Sequence, residues 1–196
     1  MGLLFIDSCI SQRGENSRTL RLARAFLEEY RKAHPNDEVT VTRVGNLGLK
    51  PLTPADLDAR DALARAGDFS GPVFRLARDV QAADKIVVAA PFWDLSFPAA
   101  LRIYIEHISA NGLLYHYDAD GCHGDCRASR LLYLTTGGDL ETPVSLGMLH
   151  WKQLCVMFGI PRFDYVFASG LDIEPDKGPE ILENAMEQAR ILGREF

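Results

Sequence analysis

The sequence predicts a three-layer α/β sandwich, with a five-stranded parallel sheet between two layers of helices. Strand-like and helix-like stretches alternate along most of the chain, as they do where right-handed crossovers join parallel strands. Ile86 to Ala90 is an unbroken apolar run rich in β-branched residues, the composition of a strand covered on both faces. At 196 residues the chain suits one domain over 1–196. A chain of this size hides roughly 70% of its unfolded surface on folding, so its core needs neither a disulfide nor a metal.

Taken in order, Leu3 to Ile6 is a short apolar run and the first strand, followed by a polar loop from Asp7 to Thr19. A helix begins near Ser17, carries Leu20, Leu22, Ala23, Phe26, Leu27 and Tyr30 as an apolar stripe, and ends at His34-Pro35. Glu38 to Val44 alternates as a strand, with Val39, Val41 and Arg43 on one face. Gly45 to Pro54, with its two glycines and two prolines, is an excursion. Ala55 to Leu63 forms a short helix, and Pro72 to Ala83 a longer one on the spacing of Val73, Leu76, Ala77 and Val80. The central strand follows, then a helix from Pro98 to about Ser109, with proline at a tolerated position. Residues of about 112–130 form a second excursion, in which Asp118 to Gly121 is turn chemistry. Leu131 to Thr135 is the fourth strand, Pro143 to Phe158 a helix, Phe163 to Ala168 the fifth strand and Pro179 to Leu192 the last helix. Five such strands suit a flavodoxin-like sheet of order 2-1-3-4-5.

The formal net charge of -6 opposes non-specific nucleic-acid binding, which needs a basic face. No stretch approaches the ~20 apolar residues of a membrane span, and the N-terminus lacks a basic, apolar leader pattern. A soluble cytoplasmic protein with four reduced thiols is the expectation.

In an open α/β sheet, ligands bind in the crevice outside the carboxyl ends of the strands. Three polar loops converge there: Ser8 to Thr19, Phe92 to Ser96, and Thr135 to Asp139. Ser8, Ser17, Arg18 and Thr19 put hydroxyls and free N–H groups at a helix N-terminus, which favours an anion such as a phosphate. Plain N-capping is the alternative for Ser17 and Thr19. Phe92 and Trp93 either grip a flat ligand or cap the core. Neither a Walker lysine pattern nor G-x-G-x-x-G is present, so a monophosphate fits better than a triphosphate or a dinucleotide.

These residues resemble the flavodoxin-like NAD(P)H-dependent oxidoreductases, the FMN-dependent NADH-azoreductases and NAD(P)H quinone reductases. The similarity rests on the first strand with Ser8, the serines before Leu20, A-F-L-E-E-Y-R-K-A-H from Ala25, A-A-P-F-W-D-L-S-F-P-A-A-L from Ala89 and T-T-G-G from Thr135. The resemblance implies FMN as cofactor, with NADH or NADPH as hydride donor. Its phosphate would lie on Ser8, Ser17, Arg18 and Thr19, and its ring along Pro91, Phe92, Trp93, Asp94 and Leu95. Thr135, Thr136, Gly137 and Gly138 would flank the other side of the ring. It also implies a homodimer in which Tyr117 and Phe158 reach the partner's site, and a quinone, azo or nitro acceptor.

Two departures stand out. Asp94 occupies a position where the family usually has asparagine, and is expected to face outward or to pair with Arg13 or Arg18, because an uncompensated buried charge is costly. The segment Cys122-His123-Gly124-Asp125-Cys126 has neither thioredoxin-like spacing nor a complete zinc set, so it is read as two ordinary cysteines and no metal is expected. Cys9 and Cys155 are read as packing residues, and His107 and His150 receive no role. The leading expectation is a reductase whose hydride chemistry belongs to the cofactor. An FMN-holding electron carrier without small-molecule turnover is the alternative, and a flavin-free interaction module is a third reading.

Overall fold

Why the apolar runs become a sheet is visible in their burial. In the computed structural model, which describes residues 1–11, 13–140, 145–173 and 175–196, β1 (Gly2–Asp7), β2 (Glu38–Arg43) and β3 (Lys85–Ala89) alternate with α1 (Arg18–Ala33), α2 (Pro54–Arg65) and α3 (Arg75–Ala82). Then come α4 (Ala99–Ile108), a hairpin of β4 (Tyr115–Asp118) and β5 (Gly121–Gly124), β6 (Arg130–Thr136), α5 (Leu146–Phe158), β7 (Arg162–Ala168) and α6 (Gly178–Glu195). The sheet is all parallel in the order β2-β1-β3-β6-β7. With the hairpin strands set aside, this is the expected 2-1-3-4-5. Every residue of β3 and β6 is buried. Among the described residues, no helix is long and apolar enough to cross a membrane.

Alternation divides the core in two. Leu4, Ile6, Ile86, Val88, Leu131 and Tyr133 face α3, α4 and α5, whereas Leu3, Phe5, Val87, Leu132 and Leu134 face α1 and α6. Two expectations need correction. Pro72–Phe74 is a 3-10 turn and α3 begins only at Arg75. On β2, Val41 is exposed and Thr42 is buried, because β2 is the sheet edge and only Val39 packs against the α1–α6 layer. The expected start of α5 at Pro143 lies outside the described residues; the described helix starts after Ser145, whose hydroxyl accepts from the Met148 N–H.

The hairpin is seated by backbone. A methyl group at Gly124 would overlap the Gly159 nitrogen and the Phe158 carbonyl carbon. Gly159 itself caps α5 in the left-handed region (φ 75°), and the Cys126 N–H donates to the Phe158 carbonyl at 3.1 Å.

At the amino ends of the strands, charges are buried in company. Lys85 donates to the Tyr30 hydroxyl at 3.2 Å and lies 3.6 Å from Asp37. Tyr30 in turn donates to Asp37 at 2.6 Å. Arg130 pairs with Asp164, donates to the Glu195 carbonyl at 3.2 Å, and lies 4.4 Å from the Phe196 ring centre.

Candidate functional site

The carboxyl ends of β1, β3, β6 and β7 surround a cleft of about 220 Å³. The loop after β1 is turned by Asp7, which accepts from the Cys9 N–H at 2.9 Å. It then passes through a 3-10 turn at Gly14–Asn16 into α1. Ser17 is the N-cap, its hydroxyl accepting from the Leu20 N–H at 3.3 Å. Capping therefore occurs, and it leaves the N–H groups of Arg18 and Thr19 without intrahelical acceptors, as the first turn of any helix does. Thr19 and Thr136 share a buried hydroxyl–hydroxyl bond of 2.6 Å that ties the start of α1 to the end of β6.

The loop after β3 is a tight turn. The Phe92 N–H donates to the Thr136 carbonyl at 3.0 Å, and Trp93 and Ser96 exchange backbone bonds of 3.3 and 2.8 Å. Between them, Asp94 (φ 50°) and Leu95 (φ 64°) both lie in the left-handed region, the requirement of a type I′ turn. This accounts for a short polar residue at 94, since Asn and Asp adopt that conformation more readily than other side chains. Trp93 is 42% and Leu95 59% exposed, so this loop presents apolar surface to solvent above the cleft.

The loop after β6 packs against the loop after β7. The Leu171 N–H donates to Gly137 at 3.2 Å and the Asp172 N–H to Gly138 at 2.9 Å. Glycine allows close packing at both positions: a methyl group at Gly137 would crowd the Phe167 ring at 3.0 Å, and one at Gly138 would force the Asp172 side chain to move. Asp172 also takes both ends of the Arg18 guanidinium, at 2.7 and 3.3 Å, and this pairing holds its carboxyl below the usual carboxylate range.

Of the expected residues, Ser17, Arg18, Thr19, Pro91, Phe92, Trp93, Thr136, Gly137 and Gly138 line the cleft. Ser8 and Thr135 do not: both are fully buried, because alternation along β1 and β6 turns them toward the α4–α5 layer. Asp94 faces outward, and Arg18 is engaged by Asp172 rather than by Asp94. Tyr117 is 63% exposed on the hairpin. Phe158 is a correction: it is buried against Tyr115 at 6.4 Å and has no face to offer a second chain. Ser11, Arg13 and Asp172 also line the cleft. Sequence reasoning brought Ser11 and Arg13 there only as members of the Ser8–Thr19 loop, without a role toward the ligand, and missed Asp172, which meets Arg18 only through the fold. Among the described residues no group of three or more His, Cys, Asp or Glu could hold a metal ion. Cys122 and Cys126 are free thiols, and burial pushes the thiols of Cys126 and Cys155 up to about 12.

Three larger clefts lie elsewhere: two beside α2, of about 510 and 540 Å³, and one of about 540 Å³ between the end of α3 and the hairpin. Size favours them, but none lies outside the carboxyl ends of the strands, where ligands of open α/β sheets bind.

A family model described as flavodoxin-like fold matches residues 1–192. The chain belongs to the flavodoxin-like family. Within it, a Clostridium acetobutylicum protein named FMN-dependent NADH:quinone oxidoreductase 2 is 32% identical, over 92% of each chain. A Clostridium beijerinckii protein named FMN-dependent NADH:quinone oxidoreductase is 29% identical over 99% of this chain and 98% of that one. Among solved structures, an azoreductase from Bacillus anthracis superposes over the whole of both chains with a TM-score of 0.88 at 24% identity, which speaks for the flavodoxin-like fold.

The cleft fits the phosphate end of a flavin mononucleotide. It offers two free N–H groups at a helix N-terminus, the Ser17 and Thr19 side chains, and the cationic Arg13 and Arg18 around one small volume. The aromatic pair Phe92 and Trp93 stands beside it.

Proposed function

We propose that this chain is an FMN-dependent NADH:quinone oxidoreductase that also accepts azo and nitro compounds, with donor and acceptor taking turns at one site. The observation that carries the proposal is the convergence of a helix N-terminus, two arginines and an aromatic wall on one cleft at the carboxyl ends of the strands. When bound, FMN supplies a centre that takes hydride from NADH and passes the electrons to the acceptor. The chain supplies position and charge. Arg18 and Thr19 N–H groups, with Ser17 and Arg13, hold one phosphate, and the single anion site selects FMN over FAD. Asp172 fixes the Arg18 guanidinium and reduces the net positive charge around the phosphate. Phe92 and Trp93 form the wall for a flat ring, and Gly137 and Gly138 let backbone approach its other side. Leu95, Leu146, Leu149 and Val156 are exposed apolar residues near the cleft and along α5, and a second copy of the chain covers them in a homodimer to which the hairpin brings Tyr117.

The test is a visible spectrum of the purified protein, followed by anaerobic NADH and then a quinone. One FMN per chain, bleached by NADH and restored over many turnovers, is the expected result. Flavin that bleaches but supports no turnover identifies an electron carrier, and bound FAD or absence of flavin affinity defeats the assignment.

A further inference from the structure

Ser8 and Thr135 are the two expected flavin contacts that the fold buries, and a third polar group lies beside them. Ser8 continues the β1 ladder, its N–H donating to Ala89 at 2.8 Å, and the Ala90 N–H donates to Leu134 at 3.1 Å. Asp7, Ala89 and Leu134 are register partners, so Ser8, Ala90 and Thr135 come level across three adjacent strands and share the face of Ile6, Val88 and Tyr133. The Cα atoms of Ser8 and Thr135 are thus two strand spacings apart, about 9.6 Å, and only the Ala90 methyl stands between them. Tyr133 projects over the same place. A methyl group on Gly147 would lie 3.2 Å from the Tyr133 hydroxyl, 3.4 Å from the Phe97 ring and 3.5 Å from the Ser96 carbonyl carbon, so the start of α5 and the turn after β3 form the roof.

The hydroxyls of Ser8, Tyr133 and Thr135 are all buried and have no hydrogen-bond partner within the protein. Thr135 approaches the Tyr133 hydroxyl closely enough to act on it as a weak hydrogen-bonding neighbour and offset part of the effect of burial, but the two do not meet full hydrogen-bond geometry. Burial pushes the phenol well above its ordinary range, so Tyr133 keeps its proton and can donate. Leaving one buried hydroxyl unmatched is costly, and here three converge over a small side chain. Buried water typically serves such groups, with two to four polar partners.

We infer that Ser8, Tyr133 and Thr135 enclose an ordered water over Ala90, directly beneath the turn at 91–97, and that this water sets the spacing of the loops that form the cleft. Ser8 and Thr135 are then positioning residues rather than flavin contacts. The sign of a stability change decides the matter. Removing a dry, unmatched hydroxyl stabilises a protein, whereas removing a partner of a bound water destabilises it.

A high-resolution crystal structure of the purified protein should show a water within about 3.2 Å of at least two of the three hydroxyls. Thr135→Val and Tyr133→Phe should each lower the thermal midpoint, and the double variant should lose less than the two losses added together, because both act on one water. A raised midpoint, additive losses, or density showing the hydroxyls bonded to each other with no water overturns the inference; if a variant does not fold, the density alone decides. FMN dissociation tests the positioning role. Thr135→Val should weaken binding several-fold and Thr135→Ser should restore it, and unchanged affinity refutes that role. This last arm rests on the FMN reading, whereas the density and midpoints stand without it.

Discussion

The two ends of the sheet are built on opposite terms. At the amino ends of β3 and β6, Lys85 and Arg130 are charged, buried and paired: Lys85 with Asp37 and Tyr30, and Arg130 with Asp164 and the Phe196 ring, although the Arg130 Nη2 has no hydrogen-bond partner. At the carboxyl ends, neutral hydroxyls are buried without protein partners, the first N–H groups of α1 stay open, and two non-glycine residues hold left-handed backbone. The contrast separates stability from function. Charges paired within the chain hold it together, whereas open N–H groups and strained backbone in the loops are free to serve a ligand, at a conformational cost of order 1–3 kcal/mol per strained residue.

The strongest way to break this division is Arg130→Ala. Removing one partner of a buried pair costs about 3–5 kcal/mol, and the loss should fall near the lower end because Arg162 remains 3.4 Å from Asp164. Chemical denaturation should register that loss while FMN affinity per folded molecule stays the same. Weakened FMN binding would show that the two ends are coupled. Ser17→Glu attacks the other end. A carboxylate facing the phosphate subsite should reduce FMN affinity at least 100-fold, about 2.7 kcal/mol, while the folded state loses only about 1 kcal/mol from the altered cap. Unchanged flavin affinity in a titration would remove the phosphate from the α1 N-terminus.

A smaller effect sharpens the assignment of the amino end. The Tyr30 hydroxyl, followed by the Met1 ammonium and then the charge of Lys85, holds the Asp37 carboxyl below its ordinary range. A folded pKa below the unfolded value, about 3.9, contributes stability that is complete above about pH 4 and is lost as pH falls through the folded pKa. Asp37→Asn should therefore flatten the dependence of unfolding free energy on pH below about pH 4, and an unaltered slope would assign acid sensitivity elsewhere. The smallest effect is expected from Asp94→Asn. Asp94 faces solvent on a turn that Asn adopts equally well, so the flavin midpoint potential should move by less than ~30 mV, about 1.4 kcal/mol for a two-electron couple. A clearly larger positive shift would mean that the carboxylate presses on the ring.

Much of this architecture could be read before folding. The strands β1, β3 and β6 are apolar runs because both faces are covered, and that signature is local. The loops that bear Phe92, Trp93, Gly137 and Gly138 were legible because each ends a strand. What stayed hidden depends on partners distant in sequence. The Arg18–Asp172 pair joins residues 154 positions apart, and the exposure of Val41 follows from the place of β2 at the sheet edge. The burial of Ser8 and Thr135 did have a local signal. Leu4-Ile6-Ser8 and Leu131-Tyr133-Thr135 are same-face series whose first members are core, so extending the alternation by one step points both hydroxyls inward.

The contact of Gly124 with Gly159 has a mechanical consequence. Side chains that meet across an interface can slide or change rotamer, but two backbones in contact have no such slack. The hairpin and the last turn of α5 therefore act as one rigid piece, a short lever with Tyr117 near its tip and α5 as its arm. Displacement of α5 along its axis carries Tyr117 with it, and a methyl group at either glycine would detach the lever rather than bend it.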